Sequence, residues 1–122
     1  MAFALPTVLS MPAFAAELVM YTRDGCPFCM RFEREVAPIY PKTAEGKAAP
    51  LRRVELPAGG LRDGSLREPV IATPTFVLVD DGREVGRITG YLNDDTFWGL
   101  LGRLVAGIEA PKQSQRSGAP TQ

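Results

Sequence analysis

Leu18-Val19-Met20-Tyr21-Thr22-Arg23-Asp24-Gly25-Cys26-Pro27-Phe28-Cys29-Met30-Arg31-Phe32 is the stretch on which the fold turns. From Glu17 to Arg23 the chain is short, apolar and β-prone, and it stops at the turn signal Asp24-Gly25, so it reads as a buried strand. A helical pattern opens directly after the turn, at Cys26-Pro27. Proline suits a first helical turn because the N–H it lacks would have no partner there. Cys29, Phe32, Val36 and Tyr40 then recur at i, i+3, i+7 and i+11 as one apolar stripe, with Glu33, Arg34 and Glu35 largely off it. Pro38 and Pro41 kink or end this helix, and Glu45 to Pro50 reads as a polar helical turn or loop.

Further along, Leu51 to Leu56 alternates apolar and charged residues and predicts a second strand. Pro57-Ala58-Gly59-Gly60 breaks the chain, and Leu61 to Val70 has room for one short helix. Thr75 to Val79 is a third, buried strand. Asp80-Asp81-Gly82 predicts a hairpin turn that returns the chain as an antiparallel strand over Arg83 to Thr89. After Gly90, a cap at Asn93 or Asp94 opens a helix with Phe97, Leu101, Leu104 and Ile108 on one face. The order β-α-β, then β-β-α, predicts an α/β domain: a central mixed sheet of about four strands with flanking helices, over residues 17–109. From residue 110 to Gln122 the composition is Ser, Gln, Gly and Pro with almost nothing apolar, which predicts a disordered tail.

Composition narrows the chemistry. At 122 residues and 45% apolar, the chain suits one domain with a compact core. Fourteen basic residues balance fourteen acidic ones with no like-charge run, which argues against a nucleic-acid partner. Histidine is absent, so imidazole triads and the common zinc sites are excluded. Met1 to Ala16 carries no charge and ends in Ala13-Phe14-Ala15-Ala16, which fits an A-x-A cleavage site. This segment reads as a signal-peptide remnant, its positive n-region lying upstream of Met1, or as an N-terminal arm on the domain. It is too short, and too interrupted by Pro6 and Pro12, to anchor in a bilayer.

The two cysteines, Cys26 and Cys29, are a redox pair or half of a metal site; a second pair of zinc ligands is missing from the sequence. A helix N-terminus presents unpaired N–H groups and the positive end of the macrodipole, both of which favour a thiolate on Cys26. Cys29, one turn further in on the apolar stripe, is shielded. The expected cycle is attack by Cys26 on a disulfide, a mixed disulfide, and resolution by Cys29. No cofactor is required beyond the Cys26–Cys29 disulfide itself.

Strand, glycine turn, C-x-x-C and helix in direct succession resemble the thioredoxin superfamily, and Pro27-Phe28 between the cysteines is closer to the Cys-Pro-Tyr-Cys of glutaredoxins than to the Cys-Gly-Pro-Cys of thioredoxins. Ala72-Thr73-Pro74-Thr75-Phe76 stands where the superfamily carries a cis-proline loop facing the dithiol; on backbone grounds alone Pro74 is also acceptable as a strand-edge proline. The resemblance implies that Pro27, Phe28, Thr73, Pro74 and Thr75 line a surface for an extended substrate backbone. It departs at Met20, near the position where thioredoxins bury an aspartate. Arg23 has a counterpart in the glutathione-binding basic residue of glutaredoxins, or is simply solvated. Gly90 to Asp95 is loosely similar to their glutathione-gripping segment, or is a strand end and helix cap.

The overall order of motifs is similar to periplasmic thioredoxins of bacterial sulfur-oxidation clusters, the SoxS type. That resemblance implies a periplasmic, monomeric reductase of protein disulfides, fed by a membrane thiol carrier. Three other readings stay open: a disulfide-introducing oxidase, separated by its reduction potential; a glutaredoxin-like reductase that takes glutathione as partner; and a Cu(I)-binding module using Cys26, Cys29 and Met30.

Overall fold

The computed structural model describes residues 3–6 and 16–117, with side chains described as far as Glu109. Apart from 3–6 and Ala16, the segment read as a leader remnant or arm lies outside the described residues, as do residues 118–122 of the expected tail.

Strand β1 (Ala16–Thr22) is central. It pairs in parallel with β2 (Leu51–Glu55) and antiparallel with β3 (Thr75–Asp80), which pairs antiparallel with β4 (Arg83–Thr89), giving the order β2-β1-β3-β4. Period-two alternation separates two apolar layers. Leu18 and Met20 of β1, Phe76 and Leu78 of β3 and Ile88 of β4 point to one side. There they meet Cys29, Phe32 and Val36, Tyr40, and Phe97, Leu101 and Val105. The stripe read from the sequence is thus buried along its whole length. Phe32, Phe76 and Phe97 pack ring against ring with centroids 4.7–5.1 Å apart, within the range where tilted aromatic pairs attract.

Helix α1 (Pro27–Glu35) stops where proline demands it: the N–H groups of Val36 and Ala37 both reach the Phe32 carbonyl, and Pro38 has none to continue the ladder. A 3₁₀ turn (Tyr40–Lys42) and the short helix α2 (Ala44–Ala48) follow, the latter capped by Thr43, whose Oγ1 accepts from the Gly46 N–H at 3.0 Å. Helix α3 (Asp94–Ser117) is capped by Asn93, whose side-chain oxygen accepts from the Thr96 N–H at 2.8 Å. Its backbone runs into the segment expected as a tail, as far as Ser117.

The second apolar layer, Val19, Tyr21 and Val77, is covered by Leu56 and Val70 and by the partly buried Val54, Leu61, Leu66 and Val79. The short helix allowed for over Leu61 to Val70 is corrected here: this connection contains no helix. Leu61 and Val70 exchange both backbone hydrogen bonds at 2.9 Å, and the Asp63 carboxylate takes the Ser65 N–H, so the local backbone groups are already spent. Two β4 side chains pin the connection down. Arg87 forks onto the Glu84 carboxylate through two 2.6 Å bonds and donates to the carbonyls of Glu68 and Pro69. Glu84 also accepts the Arg67 N–H at 2.9 Å.

Residues three apart on a regular strand face opposite sides. A register shift at Leu78/Val79, which sets Glu84 opposite Val79 and Arg87 opposite Val77, brings these two to one side. Arg87 holds the Glu84 carboxyl below the usual glutamate range, against the opposing effect of burial. At the other edge, β2 carries Arg52 and Arg53, which fork onto Glu17 and Glu33 at 2.6–3.0 Å.

Candidate active site

The turn before α1 is closed by the Cys26 N–H on the Arg23 carbonyl and needs the left-handed backbone of Gly25 (φ 76°), a conformation that a side chain disfavours. It delivers Cys26 to the N-cap of α1. There Cys26 is extended (φ −81°, ψ 108°), and its Sγ accepts the Cys29 N–H at 3.2 Å. Sulfur thus takes the capping place that a Ser or Asp oxygen usually fills. Cys26 and Cys29 are joined as a disulfide with Cα atoms 5.2 Å apart. Cys26 is the more accessible of the two, 9% exposed against 3%.

Pro27 and Phe28 stand in solvent, Phe28 at 54% exposure, and Phe28 shares a groove of about 410 Å³ with Thr73 and Pro74. The Thr73–Pro74 bond is cis. Thr75, expected on the same surface, is turned inward: it is buried, and its Oγ1 donates to the Ala72 carbonyl at 2.7 Å, fastening the proline loop. The far wall of the groove comes from Tyr91 and Leu92, within the segment loosely similar to the glutathione-gripping one, and from Leu100, which no motif in the sequence marks. Among the described residues, no charged side chain lines the groove. Leu92, Phe28 and Leu100 are all exposed, Leu92 at 70%, so three large apolar side chains face solvent around one groove, and it is their grouping that marks a contact surface.

Tyr91 and Leu92 are tied to α1 by one polar cluster. The Tyr91 hydroxyl donates to Glu35 at 2.9 Å, Arg31 forks onto the same carboxylate, and Arg31 also donates to the Leu92 carbonyl at 3.1 Å. The hydrogen bond from Tyr91, ahead of Arg31, draws the Glu35 carboxyl below its ordinary range. Burial and then the bond to Glu35 push the Tyr91 phenol up to about 12. The sequence signal for this cluster was the Arg31–Glu35 spacing of i, i+4.

Other expected positions resolve differently. Arg23 donates to the carbonyls of Leu56 at 3.5 Å and Pro57 at 3.1 Å, so it ties the end of β2 to the turn before the dithiol. Met20 is fully buried in the same apolar cluster as Cys29. Met30 is exposed beside the motif, and no group of three or more His, Cys, Asp or Glu placed to hold a metal occurs among the described residues.

A sheet of this order with an N-capping cysteine, its partner one turn on and a proline loop beside them is a redox-active dithiol scaffold. The model of the thioredoxin-like domain matches residues 16–104, and the chain belongs to that family. It is a thiol–disulfide oxidoreductase. Among solved structures it is similar to the periplasmic thioredoxin SoxS from Paracoccus pantotrophus in its reduced form, with 41% identity over 75% of this chain and 96% of that one and a TM-score of 0.67. A thioredoxin from Malassezia sympodialis, 17% identical over 75% of this chain and 76% of that one with a TM-score of 0.51, shares the fold. Comparison with curated protein sequences found no match.

Proposed function

We propose that the chain is an exported reductase of protein disulfides in which Cys26 is the nucleophile and Cys29 the resolving thiol. The observation that carries the division of labour is the N-cap geometry. The Cys29 N–H already points at Cys26 Sγ, and a thiolate there gains a charge-assisted hydrogen bond and the favourable end of the helix dipole. In the reduced protein, Cys26 thiolate attacks one sulfur of the substrate disulfide and expels the other as a thiolate, which takes a proton from solvent. Cys29 thiolate then attacks Cys26 Sγ, releasing the second substrate thiol and leaving the Cys26–Cys29 disulfide. Two electrons pass to substrate, and a dithiol donor restores them; a membrane thiol carrier is the donor class we favour.

The groove beside Phe28, Thr73 and Pro74 is the proposed seat of the substrate backbone. Export is supported by the uncharged Met1–Ala16 segment with its A-x-A ending and by the similarity to a periplasmic protein.

The test is capture. Cys29→Ser should accumulate a mixed disulfide through Cys26 with a protein substrate, and Cys26→Ser should accumulate none; equal trapping by both reverses the roles. The direction of flow follows from the reduction potential: a value near about −270 mV marks a reductant and one near about −120 mV an oxidant.

A further inference from the structure

Arg31 lies outside the C-x-x-C, yet it holds the stretch of the groove that follows β4. Its guanidinium donates Nη1 to the Leu92 carbonyl at 3.1 Å and Nε and Nη2 to the Glu35 carboxylate at 3.2–3.4 Å, and its Cζ lies 5.6 Å from the centre of the Tyr91 ring. Residues 90–93 lie between β4 and α3 and are anchored at their ends, by the Gly90 N–H on the Pro74 carbonyl and by the Asn93 cap. Between those anchors, Arg31 reaches the Leu92 carbonyl and Glu35 reaches the Tyr91 hydroxyl. A planar fork with five donors serves a carbonyl and both carboxylate oxygens at once, which a lysine ammonium cannot match.

We propose that Arg31 is a positioning residue for the substrate: by locking Leu92 and Tyr91 to the dithiol helix, it preforms the uncharged groove that receives the chain flanking the substrate's disulfide. This rests on the reductase reading, which makes the groove the substrate's seat. A preformed rim spares the complex the cost of ordering a loop on binding, so its loss falls on affinity and leaves the sulfur chemistry alone. The neutral lining also sets the preferred flank, because a charged side chain placed there would lose water and gain no partner.

The experiment compares reduction of a protein disulfide, insulin, with that of a small aromatic disulfide, dithiobis(nitrobenzoate), which is too short to use the rim. For Arg31→Ala, KM for insulin should rise about ten-fold, as the loss of one charged hydrogen bond predicts, with kcat and the small-disulfide rate within about two-fold of the parent. Arg31→Lys should fall between the two and carries the same test if the alanine chain does not fold. An unchanged insulin KM, or insulin and small-disulfide rates that drop in parallel, overturns the proposal. A parent protein that reduces neither disulfide instead sinks the reductase reading beneath it.

Discussion

Arg31–Glu35 lies half-exposed on the helix face beside the groove, whereas Glu84–Arg87 lies buried on β4 beneath the connection that crosses the opposite side of the sheet. Both are arginine forks on a glutamate with extra bonds to backbone carbonyls or a hydroxyl. Their settings give them different work. In water-accessible surroundings the ion pair adds little to stability, and what matters is where it holds a loop. Once buried, the same chemistry becomes a fold requirement, because removing one partner strands the other without water. The helix-free connection over 56–72 depends on this second kind of clasp.

Glu84→Ala is the harshest way to break the contrast. It leaves the Arg67 N–H without its acceptor and the Arg87 guanidinium with only the Glu68 and Pro69 carbonyls and the more distant Glu68 carboxylate, and urea unfolding should show a loss of about 3 kcal/mol. A loss as small as that of a surface pair would show that the back clasp is no more than a surface bridge. Acid is the next probe. The folded Glu84 carboxyl is held below its ordinary value of 4.5, so its contribution is complete above that value and disappears as pH falls through the lowered one. The urea midpoint should therefore decline below about pH 4.5, and Glu84→Gln should flatten that decline. Glu35 titrates in the same direction, and the difference between parent and Glu84→Gln isolates the buried group.

Asn93→Ala sits between the two regimes. Removing the cap of α3 should cost about 1 kcal/mol and, because the cap also anchors the Leu92 rim, should raise KM for insulin in the same assay. The smallest effect on stability belongs to Arg31→Ala, an exposed clasp whose loss should cost under about 1 kcal/mol, read from the urea midpoint, even while its kinetics change. A large drop in that midpoint would erase the distinction between a clasp that shapes a site and one that holds a fold.

The dithiol helix, the strand before it and the β3–β4 hairpin were legible because their signals are local. A 3.6-residue stripe, a turn dipeptide and a C-x-x-C each lie within a few residues of what they specify. In the hairpin, the residues that turn are Asp81 and Gly82, with positive φ at both, as the Asp-Gly signal anticipates. The clasp on the rim and the course of the back connection were not legible, for the opposite reason. Leu92 is placed by Arg31, 61 residues earlier, and the 56–72 segment is ordered by Glu84 and Arg87, whose alignment on one side needs a register shift that no short window of sequence announces. Thr75 shows the same limit within the motif itself: its place at the proline loop was readable, but the inward turn of its hydroxyl was not.

Among the described residues, β2 is a border of the sheet, where a row of backbone amides and carbonyls meets no further strand. Arg52 and Arg53 stand on that border strand, their charges tethered by Glu17 of β1 and Glu33 of α1. A stray strand zipping onto it would have to strip or bury them, which is how natural sheets discourage runaway stacking. The proposed groove invites other polypeptides with apolar surface, and the charged border on β2 does not repeat that invitation.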